Sequence, residues 1–197
     1  MLSSTIALVI LFALIFEFIN GFHDTANAIA TAVYTKALAP QKAIALAAVM
    51  NLSGALVSEK VAGTISKGLV DIELQQYVIL AALIGAIIWN LFTWWMGIPS
   101  SSSHALIGSL IGAVIAYTST TEHIIWGGVL SKVIIPLFTS PVLGLCIGFL
   151  CMKLIYKAFA NWAPYKVNSL FLKLQVFSSA FVAFSHGNND AQKTMGI

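Results

Sequence analysis

A stripe of polar side chains along one predicted helix forms the first candidate site. Its members are three or four positions apart, which places them on one face of a helix made otherwise of Ala, Ile, Leu and Phe: Glu17, Asn20, Asp24, Asn27 and Thr31. A carboxylate in so apolar a helix is costly and by default functional. Asp24 and Asn27 offer the hard oxygens that a cation prefers, and broken-helix carbonyls would add further ligands. The alternative is that these side chains only hold neighbouring helices together through hydrogen bonds, and it applies most to Asn20 and Thr31.

A serine-rich motif forms the second candidate site, at residues 97–104, which read GIPSSSSH. Pro99 ends the preceding helix, and the serines are capping residues for a helix over 104–117. The hydroxyls of Ser100, Ser101, Ser102 and Ser103, with the free N–H groups of that helix start, predict an anion site that needs no arginine. His104 would bind the anion or cap the helix. The alternative is a plain surface turn, but no charged residue lies between Glu73 and Glu122.

A second acidic motif, FSHGNNDAQKT at residues 184–194, follows the last apolar segment. Asp190 and Lys193 are spaced to pair, which lowers the cost of burying each charge. The alternative is that Lys193 is a solvated lysine at an ordinary helix end. The motif repeats the Gly and Asp of residues 21–28, and the loop charges predict that the two copies are approached from opposite sides of a membrane. That pattern is typical of an inverted repeat with its substrate site where the halves meet.

The elements that carry these motifs belong to a membrane protein. Only 9% of the 197 residues are charged and 59% are apolar, with a mean hydropathy of +0.92, so a water-soluble domain is excluded. We predict an all-α polytopic protein with broken helices and a serine-rich re-entrant hairpin. The predicted spans lie near 3–31, 41–58, 77–96, 104–117, 124–152 and 170–197.

The charged loops predict orientation and organisation. Lysines without acids place 36–42 and 153–173 in the cytoplasm, while the acidic segments 58–76 and 118–123 face outside. We assign residues 1–169 to a first structural repeat and 170–197 to the start of a second. Because the chain stops directly after its second acidic motif, we expect it to be an N-terminal fragment.

Several classes of function are excluded or disfavoured. All ten basic residues are isolated lysines, which gives no basic face for nucleic acid. The sequence lacks the zinc-hydrolase and nucleophile-elbow patterns, so we predict that it is not an enzyme and needs no cofactor. Cys146 and Cys151 lie in or beside an apolar run and are interpreted as packing residues.

Three blocks in order, GFHDTANAIAT, GIPSSSSH and SHGNNDAQKTMGI, resemble the inorganic phosphate transporter (PiT) family, and look like its bacterial low-affinity members. The resemblance implies a secondary transporter in the bacterial plasma membrane. The implied phosphate-binding residues are Asp24, Asn27, Ser100, Ser101, Ser102, Ser103, His104, Asn189, Asp190 and Lys193. The implied coupling-ion residues are Glu17, Asp24, Asn27 and Asp190.

One departure from the family pattern bears on the coupling ion. Members of the family that look sodium-coupled have Asn three residues after the Asp in both acidic motifs. In the second motif of this chain that position is Lys193. We therefore expect symport of phosphate with protons, with a metal-phosphate complex as a further form of the substrate. Sodium coupling, or transport of another oxyanion such as sulfate, is the alternative. The expected partners are inorganic phosphate and the lipid bilayer, and a homodimer is left open.

Overall fold

A computed structural model describes residues 4–57 and 68–190 and contains six helices in that part of the chain. Residues 1–3, 58–67 and 191–197 lie outside the described residues, and with them Lys193. The helices are α1 (Ser4–Tyr34), α2 (Pro40–Ala55), α3 (Gln76–Met96), α4 (Ser102–Thr118), α5 (Trp126–Phe159) and α6 (Pro164–Asp190). Helices α1, α3, α5 and α6 are long and apolar enough to cross a bilayer, which confirms the predicted all-α membrane class.

The predicted spans and the helices differ in two respects. Helix α5 continues to Phe159 and α6 begins at Pro164, so most of the lysine-rich segment 153–173 is helical rather than a loop. Proline is suited to a helix start because it has no N–H to leave unpaired. The second and fourth predicted spans, 41–58 and 104–117, are helices of only 16 and 17 residues, shorter than the roughly 20 that a crossing requires.

Helix α5 accommodates its two prolines without a break. The turn Leu130–Ile134 is widened, with the Ile135 N–H donating to the Leu130 carbonyl. Pro136 has no N–H and its ring would clash with the carbonyl four residues back, so a local widening before it lets the helix continue. The helix then runs through Pro141 to its end.

The serine turn joins α3 and α4 into a hairpin, whose helices pack against each other and whose turn faces α1. That this hairpin is re-entrant stays a prediction. Phe16 and Ile19 of α1 pack with Leu83 of α3 and Leu106 of α4 in one buried cluster. At the other end of the hairpin, Val70 pairs with Ile124 beside a second apolar cluster. The apolar packing therefore fixes the serine turn beside the polar stripe.

Helices α1 and α6 run side by side in opposite directions. Asp24 faces His186, and further along α1 Thr35 faces Gln175, whose position lies earlier on α6. The spacing between the two contacts is the same on both helices. Such an antiparallel pair is what the predicted inverted repeat requires, and the repeat itself stays a prediction.

Helix α6 also lies directly on α2, and two glycines allow the close approach. A Cβ built on Gly187 would lie 2.0 Å from the Asn51 carbonyl oxygen, and one on Gly54 would lie 2.1 Å from the Phe184 carbonyl oxygen. No side chain fits at either position. Small residues at a membrane helix contact bring the backbones together and increase van der Waals packing.

Candidate functional site

The serine turn is built from a helix end and a helix start. Gly97 ends α3 with φ of 66°, a left-handed conformation that glycine adopts at little cost. Ser101 caps α4, and its Oγ accepts a hydrogen bond of 3.4 Å from the His104 N–H. Trp89 Nε1 donates to Ser100 Oγ at 3.1 Å and ties the turn to α3. The turn therefore presents hydroxyls and the positive end of a helix dipole.

Ser102 connects this turn to the polar stripe of α1. Its Oγ donates to Asn20 Oδ1 and lies 3.1 Å from Asp24 Oδ2. Both Ser102 and Asn20 are 2% exposed, so the contact is sealed from solvent. A buried hydroxyl with two polar partners holds the first residue of α4 against the carboxylate of α1.

Asp24 also belongs to a cluster with two residues of α6. His186 Nε2 lies 3.8 Å from Asp24 Oδ2 and 3.3 Å from Asp190 Oδ2. The other ring nitrogen, Nδ1, is 2.7 Å from Asn51 Oδ1, a distance at which it donates to the amide oxygen. His23 Nδ1 lies 3.5 Å from Asp24 Oδ1 on the opposite side. Three helices therefore contribute to one polar cluster.

This cluster has the groups to hold a cation or a proton. With Nδ1 donating to Asn51, a neutral imidazole would direct the lone pair of Nε2 at two carboxylates. Two like charges this close cannot both be carried without compensation. One ligand atom each from Asp24, His186 and Asp190 lie within 4.8 Å of one another, so a cation could bind between them. Protonation of the imidazole or of one carboxyl group would satisfy the cluster equally well.

Two cavities meet the cluster from different sides. One of about 280 Å³ is lined by Asp24 and Asn27 of α1, by Ser100 and Ser101 of the turn, and by His186. The other, of about 320 Å³, contains Glu17. It is bordered by α1, α2 and α6, and its further polar lining residues are Asn20, Thr25, Asn51 and His186. His186 lines both cavities.

The predicted site residues divide into three groups. Asp24, Asn27, Ser100, Ser101, Ser102 and Asp190 are brought together around the first cavity and the carboxylate cluster. Glu17 lines the cavity on the other side of α1, while Ser103 and His104 line a cavity against α5. Asn189 is exposed, because it is turned by about 100° from Asp190 on the helix.

Helix α1 supplies no broken-helix carbonyls beside Asp24. The helix is continuous from Ser4 to Tyr34, so its carbonyls in this region are used within the helix. The Thr25 hydroxyl donates to the Gly21 carbonyl inside the same helix. The interruption that exposes helix-end groups lies instead at the serine turn between α3 and α4.

Two residues of the site, His186 and Asn51, are not singled out by the sequence, and Asn20 is named there only as a member of the polar stripe. Asn20 lay on the polar stripe but had no distinguishing feature, and its contact with Ser102 bridges distant segments. His186 is four residues before Asp190, a spacing that does place the two side chains on one face of a helix. Asn51 gave no signal, because only the packing of α2 on α6 brings it to His186.

The chain places a helix start, serine hydroxyls and carboxylates around interior cavities in a bundle of membrane-length helices. This arrangement is that of a membrane transporter and not of an enzyme. The chain belongs to the Phosphate transporter family, whose sequence model matches residues 20–165. It is therefore a multi-pass protein of the bacterial cell membrane.

Curated relatives described as probable low-affinity inorganic phosphate transporters cover nearly all of the chain. The relative from Mycobacterium tuberculosis H37Rv is 48% identical over 96% of this chain and 46% of its own length. The relative from Bacillus subtilis is 49% identical over 96% and 57%. The one from Streptomyces halstedii is 42% identical over 92% and 85%. The chain thus spans about half the length of several relatives that it matches.

A solved structure described as the sodium-dependent phosphate transporter superposes with a TM-score of 0.82. The match covers 97% of this chain and 65% of the other at 24% identity. At that identity the likeness shows a common fold.

Proposed function

We propose that this chain is part of a secondary carrier that takes up inorganic phosphate by symport with protons. The observation that carries the proposal is the contact of Ser102 with Asp24, because it sets an anion-binding helix start against a carboxylate. Several relatives are described as probable low-affinity inorganic phosphate transporters, which supports phosphate as the substrate.

The cavity beside Asp24 has the chemistry to hold monobasic phosphate. Ser100 and Ser101 offer hydroxyl donors to the anion, and the start of α4 adds the positive end of its dipole. The Asp24 carboxylate can accept a hydrogen bond from a protonated phosphate oxygen. A fully deprotonated oxyanion offers no such donor and would be repelled. The site therefore favours an oxyanion that still carries a proton.

The contacts of Ser102 are compatible with an Asp24 carboxyl group that gains and loses a proton. A hydroxyl has one proton to donate, and here it is directed at Asn20 Oδ1. In that arrangement the 3.1 Å contact with Asp24 Oδ2 is a hydrogen bond only when Asp24 carries a proton of its own. With the Asn20 amide turned, Ser102 donates to an ionised Asp24 instead. The same residues thus accommodate both protonation states of the carboxyl group.

Sodium coupling and a metal-phosphate substrate are the alternatives, and they would use the carboxylate cluster differently. In either case Asp24, Asp190 and the His186 imidazole would be ligands of a bound cation. Carboxylate oxygens suit sodium and magnesium, while the imidazole favours a transition metal. A proton requires only one of these groups.

The test uses the full-length carrier in vesicles loaded without phosphate. Uptake of labelled phosphate is measured with an imposed pH gradient, with a sodium gradient, and with neither. We expect the inward proton gradient alone to drive accumulation. Accumulation driven by sodium with no pH gradient would contradict proton coupling but not phosphate transport. Uptake that requires added magnesium would indicate a metal-phosphate complex.

The identity of the anion is tested separately by competition. Arsenate carries protons at neutral pH as phosphate does, whereas sulfate does not. We expect excess arsenate to block uptake of labelled phosphate and excess sulfate to leave it unchanged. Equal inhibition by sulfate would favour a general oxyanion carrier.

A further inference from the structure

The cavity between the start of α4 and the first half of α5 has a mainly apolar lining with a few polar residues. Its volume is about 320 Å³, and its polar lining consists of Ser103, His104, Lys132 and Ser140. The rest of the lining is apolar, including Ile107 and Val133. The proposed phosphate site beside Asp24 does not include Lys132, so this cationic side chain has no role there.

Lys132 occupies an unusual place in α5. It lies in the widened turn Leu130–Ile134, inside a helix long and apolar enough to span the membrane. Lys132 lies six residues after the start of that helix at Trp126, and its side chain is exposed. Widened turns of this kind are frequent at functional sites. Lys157 lies in the last turn of the same helix, where cations are favourable, and Lys153 lies about as far from that end as Lys132 lies from the start.

The Lys132 ammonium group is positioned by two glycines. A Cβ built on Gly68 would lie 2.1 Å from Lys132 Nζ, so any side chain at residue 68 would displace the ammonium. A Cβ built on Gly128 would lie 1.9 Å from the Gly68 carbonyl oxygen. The start of α5 therefore rests on Gly68, and one turn later Lys132 passes over the same residue.

The cavity is connected through its lining residues to the site beside Asp24. It shares His104 with a cavity of about 430 Å³ that is also lined by Ser100 and Ser101. Those two serines in turn line the cavity that contains Asp24. Shared lining residues therefore place the Lys132 cavity, the serine turn and the Asp24 cavity next to one another.

We propose that the Lys132 cavity is a second oxyanion-binding site, which receives phosphate before it reaches the serine turn. The inference rests on the proposed function, because it assumes that phosphate is the transported ion. The Lys132 ammonium attracts the anion, and Ser103, His104 and Ser140 are the other polar residues of the cavity lining. Two carboxylates at the inner site repel an approaching anion, so a cationic site in front of them raises the local phosphate concentration. A lysine binds phosphate without the bidentate geometry of arginine, so the anion is readily released.

The main test compares charge-removing and charge-keeping variants of the full-length carrier in vesicles. We expect Lys132→Gln to raise the KM for labelled phosphate by about tenfold, the loss of one charged hydrogen bond, with little change in the maximal rate. Lys132→Arg keeps the charge and should stay within about twofold of the wild type. The matched control is Lys153→Gln on the same helix, which should leave the KM unchanged.

A second variant tests the position of the charge. Gly68→Ala places a methyl group where Lys132 Nζ lies, so it should raise the KM in the wild-type background. In the Lys132→Gln background it should add nothing, because the ammonium is already gone. Non-additivity of this kind is the signature of two residues that act through one interaction.

The outcomes separate this inference from the proposed function. An unchanged KM in Lys132→Gln overturns the second site while uptake by the wild type still supports the carrier. An equal rise in Lys132→Arg and Lys132→Gln also overturns it, because the side chain would then act through packing and not charge. If the wild type takes up no phosphate, the proposed function fails first and the second site fails with it.

Discussion

Gly187 of α6 packs directly on the backbone of Asn51 in α2, with room for a hydrogen and nothing larger between them. The residue before the glycine, His186, uses this proximity to reach the Asn51 side chain with Nδ1. The other face of the imidazole then meets Asp24 and Asp190. A backbone contact between two helices thus determines where the imidazole of the site lies.

Replacing Gly187 should therefore separate α2 from α6. We expect Gly187→Ala to lower the melting temperature of the purified protein and to reduce uptake, because the methyl group would lie 2.0 Å from a carbonyl oxygen. Thermal unfolding in detergent, followed by size-exclusion chromatography, measures the first effect. Gly148→Ala on α5 is the control, since no atom lies within 4 Å of the added methyl group. Equal stability of the two variants would contradict the close packing.

The carboxylate of Asp24 should be indispensable for uptake but not for folding. Asp24→Asn keeps the size of the side chain and can still bond to Ser102, but it can neither take up a proton nor balance a cation. We expect uptake to fall by at least about tenfold, with unchanged expression and melting temperature. Asp71→Asn, in an exposed connection, serves as the control. Wild-type uptake by the Asp24 variant would indicate a purely structural carboxylate.

Ser102→Ala removes the bridge between α4 and α1. The buried Asn20 amide then loses the hydroxyl that donates to its Oδ1, which costs about 1–3 kcal/mol of stability. We expect a lower unfolding temperature together with weaker phosphate uptake. Ser53→Ala is the matched control, because the Ser53 hydroxyl bonds only within its own helix turn and is exposed. The hypothesis fails if both variants unfold at the wild-type temperature.

Trp89→Phe tests the tie between the serine turn and α3. The variant keeps an aromatic ring but loses the 3.1 Å hydrogen bond to Ser100 Oγ. A neutral hydrogen bond contributes about 0.5–1.5 kcal/mol, so we expect the KM for phosphate to rise by roughly twofold to tenfold. Trp95→Phe, at a side chain that is 76% exposed, should have no effect. Equal KM values for the two variants would show that the bond does not order the turn.

Much of the site could be predicted because its chemistry is local in sequence. The serine turn follows from Pro99 and four consecutive serines, and the structure places the helix cap within that run, at Ser101. Asp24 is conspicuous because a carboxylate interrupts an apolar helix. Helix boundaries were less predictable. The lysines of 153–173 suggested a loop, but they lie near the end of α5 and the start of α6, and both helices include them.

The rest of the site depends on contacts between distant segments. Asn51 lies 135 positions from His186 and no local pattern joins them. Gly54 and Gly187, which let α2 and α6 approach each other, could not be recognised from the sequence either. Glycines are frequent in membrane helices whether or not a second helix packs on them. Asn189 was assigned to the site by family resemblance, and the helical rotation leaves it exposed while Asp190 points into the cluster.

The continuity of α1 has a consequence for movement. Asp24 stands on an unbroken helix of 31 residues, so it cannot be re-aimed by bending the chain on either side of it. The hairpin of α3 and α4 packs on that helix through the buried cluster of Phe16, Leu83 and Leu106, and its serine turn is joined to the helix by the Ser102 hydroxyl. A change in the side from which Asp24 is reached must therefore come from a movement of other helices relative to α1 and not from a bend within α1.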